Sequence, residues 1–163
     1  MHNFLNTPGF VQHRLEGDYH LFRGIQHPLP TWADVIENLN TSIKNKWEVK
    51  SLSHYGFVTH SAEIMPYVDE LLKYISTLDS NVPSSAHCYF SLTDLSHTFG
   101  RHNDSSDVFF WQFIGQTEWT VESKNGTVIH ILEPNDLLFV PRGMWHNTKP
   151  LTPRAGISFG LDY

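Results

Sequence analysis

The sequence predicts a mainly β protein, a double-sheet barrel of jelly-roll type supported by two or so N-terminal helices. Three observations lead there. Segments of helical period stand in the first half, short closely spaced strands take over from Ala86, and Asn125-Gly126 joins two of those strands as a hairpin turn.

Taken in order, the first thirty residues read as irregular segments and short strands, with Tyr19 to Gly24 the clearest strand. Pro28 and Pro30 interrupt the chain, and Thr31 is placed to cap a helix running to about Leu39. Trp32, Val35, Ile36 and Leu39 recur at helical steps and give that helix one apolar face, and Asp34 near its start suits the helix dipole. Trp47 to Leu52 alternates like a strand. A second helix is expected from about Ala62 to Ser76, capped by Ser61, with Pro66 in its first turns and Met65, Val68, Leu71, Leu72 and Ile75 on its buried side. Asp79 to Ser85 is a loop by composition.

Seven or so strands follow. Ala86 to Leu92 is one, and a long strand ends near Ile114. Trp119–Glu122 and Thr127–Ile131 flank the Asn-Gly turn, Leu137–Val140 comes next, and Gly156–Leu161 closes the barrel. With no repeat, low-complexity tract or linker, the expectation is one domain over 1–163. Within it 1–85 supply supporting helices and strands and 86–163 the barrel core.

The composition narrows the function. A chain of 163 residues with 40% hydrophobic residues can bury a substantial core. A net charge of -6, with 11 Lys and Arg scattered along the chain, argues against general nucleic-acid binding, which needs clustered cations. Cys88 is the single cysteine, which excludes an intrachain disulfide and a multi-cysteine zinc site; its apolar neighbours point to an inert buried thiol. The absence of a membrane-length apolar run and of signal-peptide features at Met1 to Asn6 leads to the expectation of a cytoplasmic protein without membrane partners.

The chemistry gathers around Gly100 to Gly115. His102 and Asp104 stand two apart, and in an extended strand such residues point to the same side, so an imidazole and a carboxylate converge on one ion. His146, beyond the Pro141-Arg142-Gly143 turn, is the third partner. Two histidines and one carboxylate on one side of a metal leave the opposite positions open, the arrangement of non-haem Fe(II) oxygenases. The remaining histidines (His13, His20, His27, His54, His60, His87, His97 and His130) have no ligand-type spacing, and His2 is assigned to a loose terminus. Asp107 reads as a brace for the loop beside the metal, and Gly143 as the residue that lets the turn present His146.

These residues resemble the JmjC-like branch of the cupins, in particular small hydroxylases related to ribosomal-protein and asparaginyl hydroxylases. The resemblance rests on His102-x-Asp104-x-x-Asp107-Val108-Phe109, Gln112-x-x-Gly115 and Trp119. It continues through Pro134-x-Asp136-Leu137-Leu138-x-Val140-Pro141-x-Gly143-x-x-His146, with Phe22-Arg23-Gly24 similar to the start of such domains. It implies a double-stranded β-helix that holds Fe(II) through His102, Asp104 and His146 and uses 2-oxoglutarate and O₂ to hydroxylate a protein side chain or a small molecule. Homodimers are common in such families. A pocket lined by Phe109, Trp111 or their neighbours would shield the reaction, and only one of Phe110 and Trp111 can line it, since strand residues alternate.

One position departs from the family. Related hydroxylases carry Lys or Arg thirteen residues after the ligand Asp, and here that residue is Thr117. A desolvated anionic cosubstrate needs a charged or multiply hydrogen-bonded partner. Arg154, eight residues past His146, is the candidate anchor, with Ser158, Tyr89, Thr93 and Thr117 as candidate hydroxyl contacts. Two other readings stay open at this point: a cupin metalloprotein that does not use 2-oxoglutarate (an isomerase, lyase or other dioxygenase), and a non-catalytic binding module.

Overall fold

The computed structural model describes residues 2–163. Its larger sheet has seven strands in the order β1 (His20–Phe22), β8 (Leu137–Val140), β5 (Asp107–Ile114), β10 (Arg154–Leu161), β4 (Ser84–Ser91), β3 (Gly56–Thr59) and β2 (Val49–Leu52). The smaller sheet orders β7 (Gly126–Leu132), β6 (Thr117–Ser123) and β9 (His146–Pro150). All pairings are antiparallel among the described residues. This is the expected jelly-roll barrel, with β1, β2 and β3, all before residue 86, built into the larger sheet.

The larger sheet is covered on both faces, which explains why nearly every residue of β5 is buried. One face packs on α1 (Pro8–Glu16), α2 (Trp32–Lys44) and α3 (Val68–Ser76) through Phe10, Val35, Leu71 and Ile75. They meet Cys88, Phe90, Phe109, Trp111, Ile157 and Phe159 from the strands. The other face looks into the barrel, where Phe110 and Leu138 meet Trp119, Val121 and Leu132 of the smaller sheet. Strand alternation therefore decides the pocket wall. Phe110 faces inward, whereas Phe109 and Trp111, expected near the pocket, belong to the layer under the helices.

The helices depart from expectation for local reasons. α1 was not anticipated; it buries only Phe10, so it has almost no apolar stripe, yet Pro8 in its first turn and Gly17 in the left-handed conformation after Glu16 delimit it. α2 begins as expected, with a reciprocal capping box between Thr31 and Asp34, but runs on to Lys44. Its buried face is Val35, Asn38 and Ser42, while Ile36 is exposed. Asn38 bonds the Thr59 hydroxyl at 2.5 Å and the Ser61 carbonyl at 2.9 Å, so polar residues occupy core positions and hide the period.

The helix expected over Ala62 to Ser76 is broken. Ala62–Ile64 forms one 3₁₀ turn, Met65 is extended, and α3 starts at Val68 without a side-chain cap from Ser61. The cause is Pro66, whose ring disfavours the helical conformation in the residue before it. His2, assigned to a loose terminus, is instead packed against Phe4, His27 and Tyr74. Among the described residues no helix is long and apolar enough to cross a membrane.

Candidate metal centre

His102 and Asp104 do not lie on β5, which starts at Asp107; they sit in the loop leading to it. Their convergence comes from backbone pairing rather than from strand alternation. His102 forms an isolated antiparallel bridge with His146, the first residue of β9, with reciprocal N–H to carbonyl bonds of 2.9 and 2.8 Å. The Gly143 N–H donates to the Asp104 carbonyl at 2.8 Å, and the Arg142 N–H donates to the Asp107 carboxylate at 3.0 Å. Asp107 is thus the brace it was expected to be. Gly143 adopts φ 79°, where a side chain would be strained.

The result is a compact ligand set. One ligand atom from each of His102, Asp104 and His146 lies within 4.8 Å of the others. The Asp104 carboxylate is 3.4 Å from His146 Nε2 and 3.9 Å from His102 Nε2. Each imidazole is oriented by its other nitrogen: His102 Nδ1 is 2.8 Å from the Gly100 carbonyl and His146 Nδ1 is 3.0 Å from the Met144 carbonyl. A carbonyl only accepts, so both Nδ1 atoms carry the proton and both Nε2 lone pairs face the carboxylate. Trp119 stacks on His146 at 5.3 Å, and burial holds the His146 pKa below the usual histidine value, which keeps it neutral and able to ligate.

The donor set and its tautomers fit a divalent transition metal. All three ligands line a cavity with about 540 Å³ of space not filled by atoms, including its mouth. Its walls are apolar, with Leu52, Phe57, Phe99, Val108, Phe110 and Trp119. Gly156 on β10 leaves room for one wall, because a Cβ there would overlap the Phe110 ring.

The polar residues of the cavity sort the expected cosubstrate contacts. Arg154, Ser158 and Tyr89 line it; Thr93 and Thr117 do not. Arg154 and Ser158 share the inward parity of β10, as Tyr89 and Ser91 do on β4. Arg154 is 4% exposed, its Nε donates to the Ser91 hydroxyl at 3.2 Å, and among the described residues no carboxylate pairs with it. Burial pushes its pKa down to about 10, so it is still a cation at neutral pH. Tyr89 is pushed up to about 12, by burial first and then by Asp104, and remains a neutral hydroxyl donor. Cys88 is buried and also raised by burial, to about 12, the inert thiol expected.

Thr93 instead closes the turn after β4, its hydroxyl accepting from the Leu95 N–H at 3.2 Å. Thr117 is fully buried at the start of β6, its hydroxyl without a partner among the described residues. Ser91, Thr98 and Thr148 are polar wall residues that sequence reasoning missed. Only Ser91 left a signal, two residues after Tyr89 on one strand.

No family model matches this sequence, and no curated protein matches it at a significant level. Among solved structures, the ribosomal oxygenase YcfD from Escherichia coli in complex with cobalt and succinic acid matches with a TM-score of 0.80 at 18% identity, over 98% of this chain and 52% of that chain. YcfD in complex with cobalt and 2-oxoglutarate gives the same values. The fold shared with these structures is the double-stranded β-helix of jelly-roll type. An oxalate decarboxylase structure is similar more distantly, with a TM-score of 0.50 at 14% identity over 72% of this chain and 28% of that chain. The chain spans about half the length of the YcfD structures it matches.

Proposed function

We propose that this cupin is an Fe(II)- and 2-oxoglutarate-dependent oxygenase that hydroxylates a protein side chain or a small molecule. The observation that carries the reading is Arg154, a buried cation without an anionic partner among the described residues, lining the same cavity as the His102, Asp104 and His146 set. A buried charge is costly unless something pairs with it. A small dicarboxylate would satisfy both ends, with its 2-oxo acid group toward the His102, Asp104 and His146 set and its far carboxylate at Arg154.

His102, Asp104 and His146 would hold the iron, and three ligands leave room for a bidentate 2-oxo acid and O₂. Fe(II) with 2-oxoglutarate would supply the oxidising chemistry, the overall change being insertion of one oxygen of O₂ into a substrate C–H bond while 2-oxoglutarate is converted to succinate and CO₂. Arg154 would take the far carboxylate through N–H donors not used by Ser91, and the Tyr89 and Ser158 hydroxyls lie along the same walls. Phe110, Val108 and Trp119 would keep water from the reacting centre. The YcfD complex with cobalt and 2-oxoglutarate, on the same fold, supports this reading.

The test is anaerobic titration of the Fe(II)-loaded protein with 2-oxoglutarate, followed by its visible charge-transfer band. A band that saturates in wild type and is absent in His102→Ala supports the oxygenase. Iron binding with no band at millimolar 2-oxoglutarate would hand the site to cupin chemistry that does not use 2-oxoglutarate.

A further inference from the structure

A second group of histidines and a carboxylate lies on the opposite side of the larger sheet from the cavity. His2, His27 and Glu70 each offer a ligand atom within 4.8 Å of the other two. His2 Nε2 is 2.9 Å from His27 Nδ1 and 3.9 Å from Glu70 Oε1. We propose that His2, His27 and Glu70 form a second metal site, for Zn(II) or a similar borderline divalent ion, that clamps the segment before α1 onto the first turn of α3.

His27 is built for the role. Its Nε2 is 2.8 Å from the Tyr67 carbonyl, so that nitrogen carries the proton and Nδ1 presents its lone pair to His2. A backbone carbonyl fixing the tautomer of a ligand is a recurrent support in metal sites, and His102 and His146 have the same arrangement here. His27 is 3% exposed and packs edge-on against Trp111 at 5.1 Å, which holds its ring in place. His2 is held between the rings of Phe4 and Tyr74. Glu70, on an exposed side chain in the first turn of α3, is free to close on an ion.

Two imidazole nitrogens and one carboxylate suit Zn(II), Co(II), Ni(II) or Cu(II), with water in a remaining position, whereas Ca(II) and Mg(II) favour all-oxygen shells. Bonds of about 2.0–2.1 Å in a tetrahedron place ligand nitrogens roughly 3.3 Å apart, so the 2.9 Å pair opens by a few tenths of an ångström on binding. In the metal-free protein the same two nitrogens share one proton in a hydrogen bond. Binding requires His2 to take the Nδ1–H tautomer, which frees its Nε2 lone pair for the ion.

The consequence is structural. The clamp joins residues 2 to 6, whose Leu5 N–H already donates to the Tyr74 hydroxyl at 3.3 Å, to α3 and to the loop carrying His27. At a free ion concentration of a hundred times the dissociation constant, the unfolding midpoint should rise by about 5–10 °C.

Co(II) titration, with its ligand-field bands and bound-metal stoichiometry, tests the proposal. A background with His102 and His146 both replaced by alanine removes the cavity site, and its fold is checked by thermal unfolding. This background should bind one Co(II) per chain with the intense bands of a four-coordinate site. Adding His2→Ala should abolish binding, and adding Glu70→Gln should weaken it. Wild type should take up two equivalents and His2→Ala one. Glu70 is exposed, so Glu70→Gln should keep the apo unfolding midpoint of its parent, whereas His2→Ala also removes packing on Phe4 and Tyr74 and the bond to His27, and its folding is checked by thermal unfolding before titration. The proposal is overturned if the background binds no Co(II), or if the ion it binds is indifferent to His2→Ala and Glu70→Gln.

Discussion

Replacing Arg154 with methionine separates a ligand anchor from a structural arginine. The side chain is 4% exposed and its recorded partner is the Ser91 hydroxyl, at 3.2 Å. Methionine retains most of its length and apolar volume while removing the charge. Two charge-assisted hydrogen bonds from a buried guanidinium to a carboxylate are together worth about 3–4 kcal/mol, taken near the low end because Ser91 already occupies one N–H. That corresponds to a roughly 100- to 1000-fold weaker dissociation constant for 2-oxoglutarate. The assay is calorimetric titration of the metal-loaded protein under anaerobic conditions. Metal affinity should stay unchanged, because Arg154 belongs to neither the ligand set nor its supporting hydrogen bonds. Stability of the ligand-free protein should hold within about 1 kcal/mol or rise, since the change relieves a buried charge with no anionic partner among the described residues. An affinity within threefold of wild type refutes the anchor. So does a loss of about 3–5 kcal/mol in stability, the signature of a buried charge network broken open.

Further predictions follow from the same geometry. His146→Ala should remove metal binding at the cavity, measured by equilibrium dialysis, and Asp104→Asn should weaken it without unfolding the chain, because Asp104 is only half-buried. Thr117→Val, which deletes a buried hydroxyl without a recorded partner and keeps its shape, should stabilise by about 1 kcal/mol and raise the midpoint by about 2–4 °C. The same variant should leave 2-oxoglutarate affinity untouched. Gly156→Ala should cost about 1–3 kcal/mol, because the new methyl collides with Phe110, and should impair ligand binding in calorimetry.

The pH dependence of stability has a definite sign. His60 and His87 stack at 4.4 Å, and burial holds both pKa values below 6.5, helped by Lys50 and opposed by Glu48 at both and by Asp162 at His87. The unfolded chain therefore binds more protons below pH 6.5. This contribution is complete above that value and is lost as pH falls through the folded-state values. Unfolding midpoints measured between pH 8 and pH 5 should decline on the acid side (range set by the histidine reference of about 6.5), and less steeply in His87→Gln.

Much of the barrel was legible because strand signals are local. Asn125-Gly126 marked the β6–β7 hairpin, although the turn itself is Lys124-Asn125 and Gly126 opens β7, and Leu137 to Val140 came out as β8 with the expected bounds. β9 escaped because Asn147, Thr148 and Lys149 are polar; it is a strand through pairing with β6, a partner far away in sequence. α1 has almost no apolar face and so leaves no helical period, and the break before α3 is set by Pro66, which holds Met65 extended.

By itself the sequence determined which residues were candidates and which pattern holds them: two histidines and an aspartate as a candidate ligand set, Arg154 as a candidate anchor where Thr117 carries no charge, and a jelly-roll succession of strands. The three-dimensional arrangement decided which residues share a space. His102 meets His146 through an isolated bridge, Arg154 rather than Thr117 or Thr93 enters the cavity, and Phe110 rather than Trp111 forms its wall. It also brought together His2, His27 and Glu70, which no spacing connects. The physical reason is the same in each case. Residue type and short-range period are properties of neighbouring residues, whereas register, sheet facing and burial arise from contacts between segments that only folding joins.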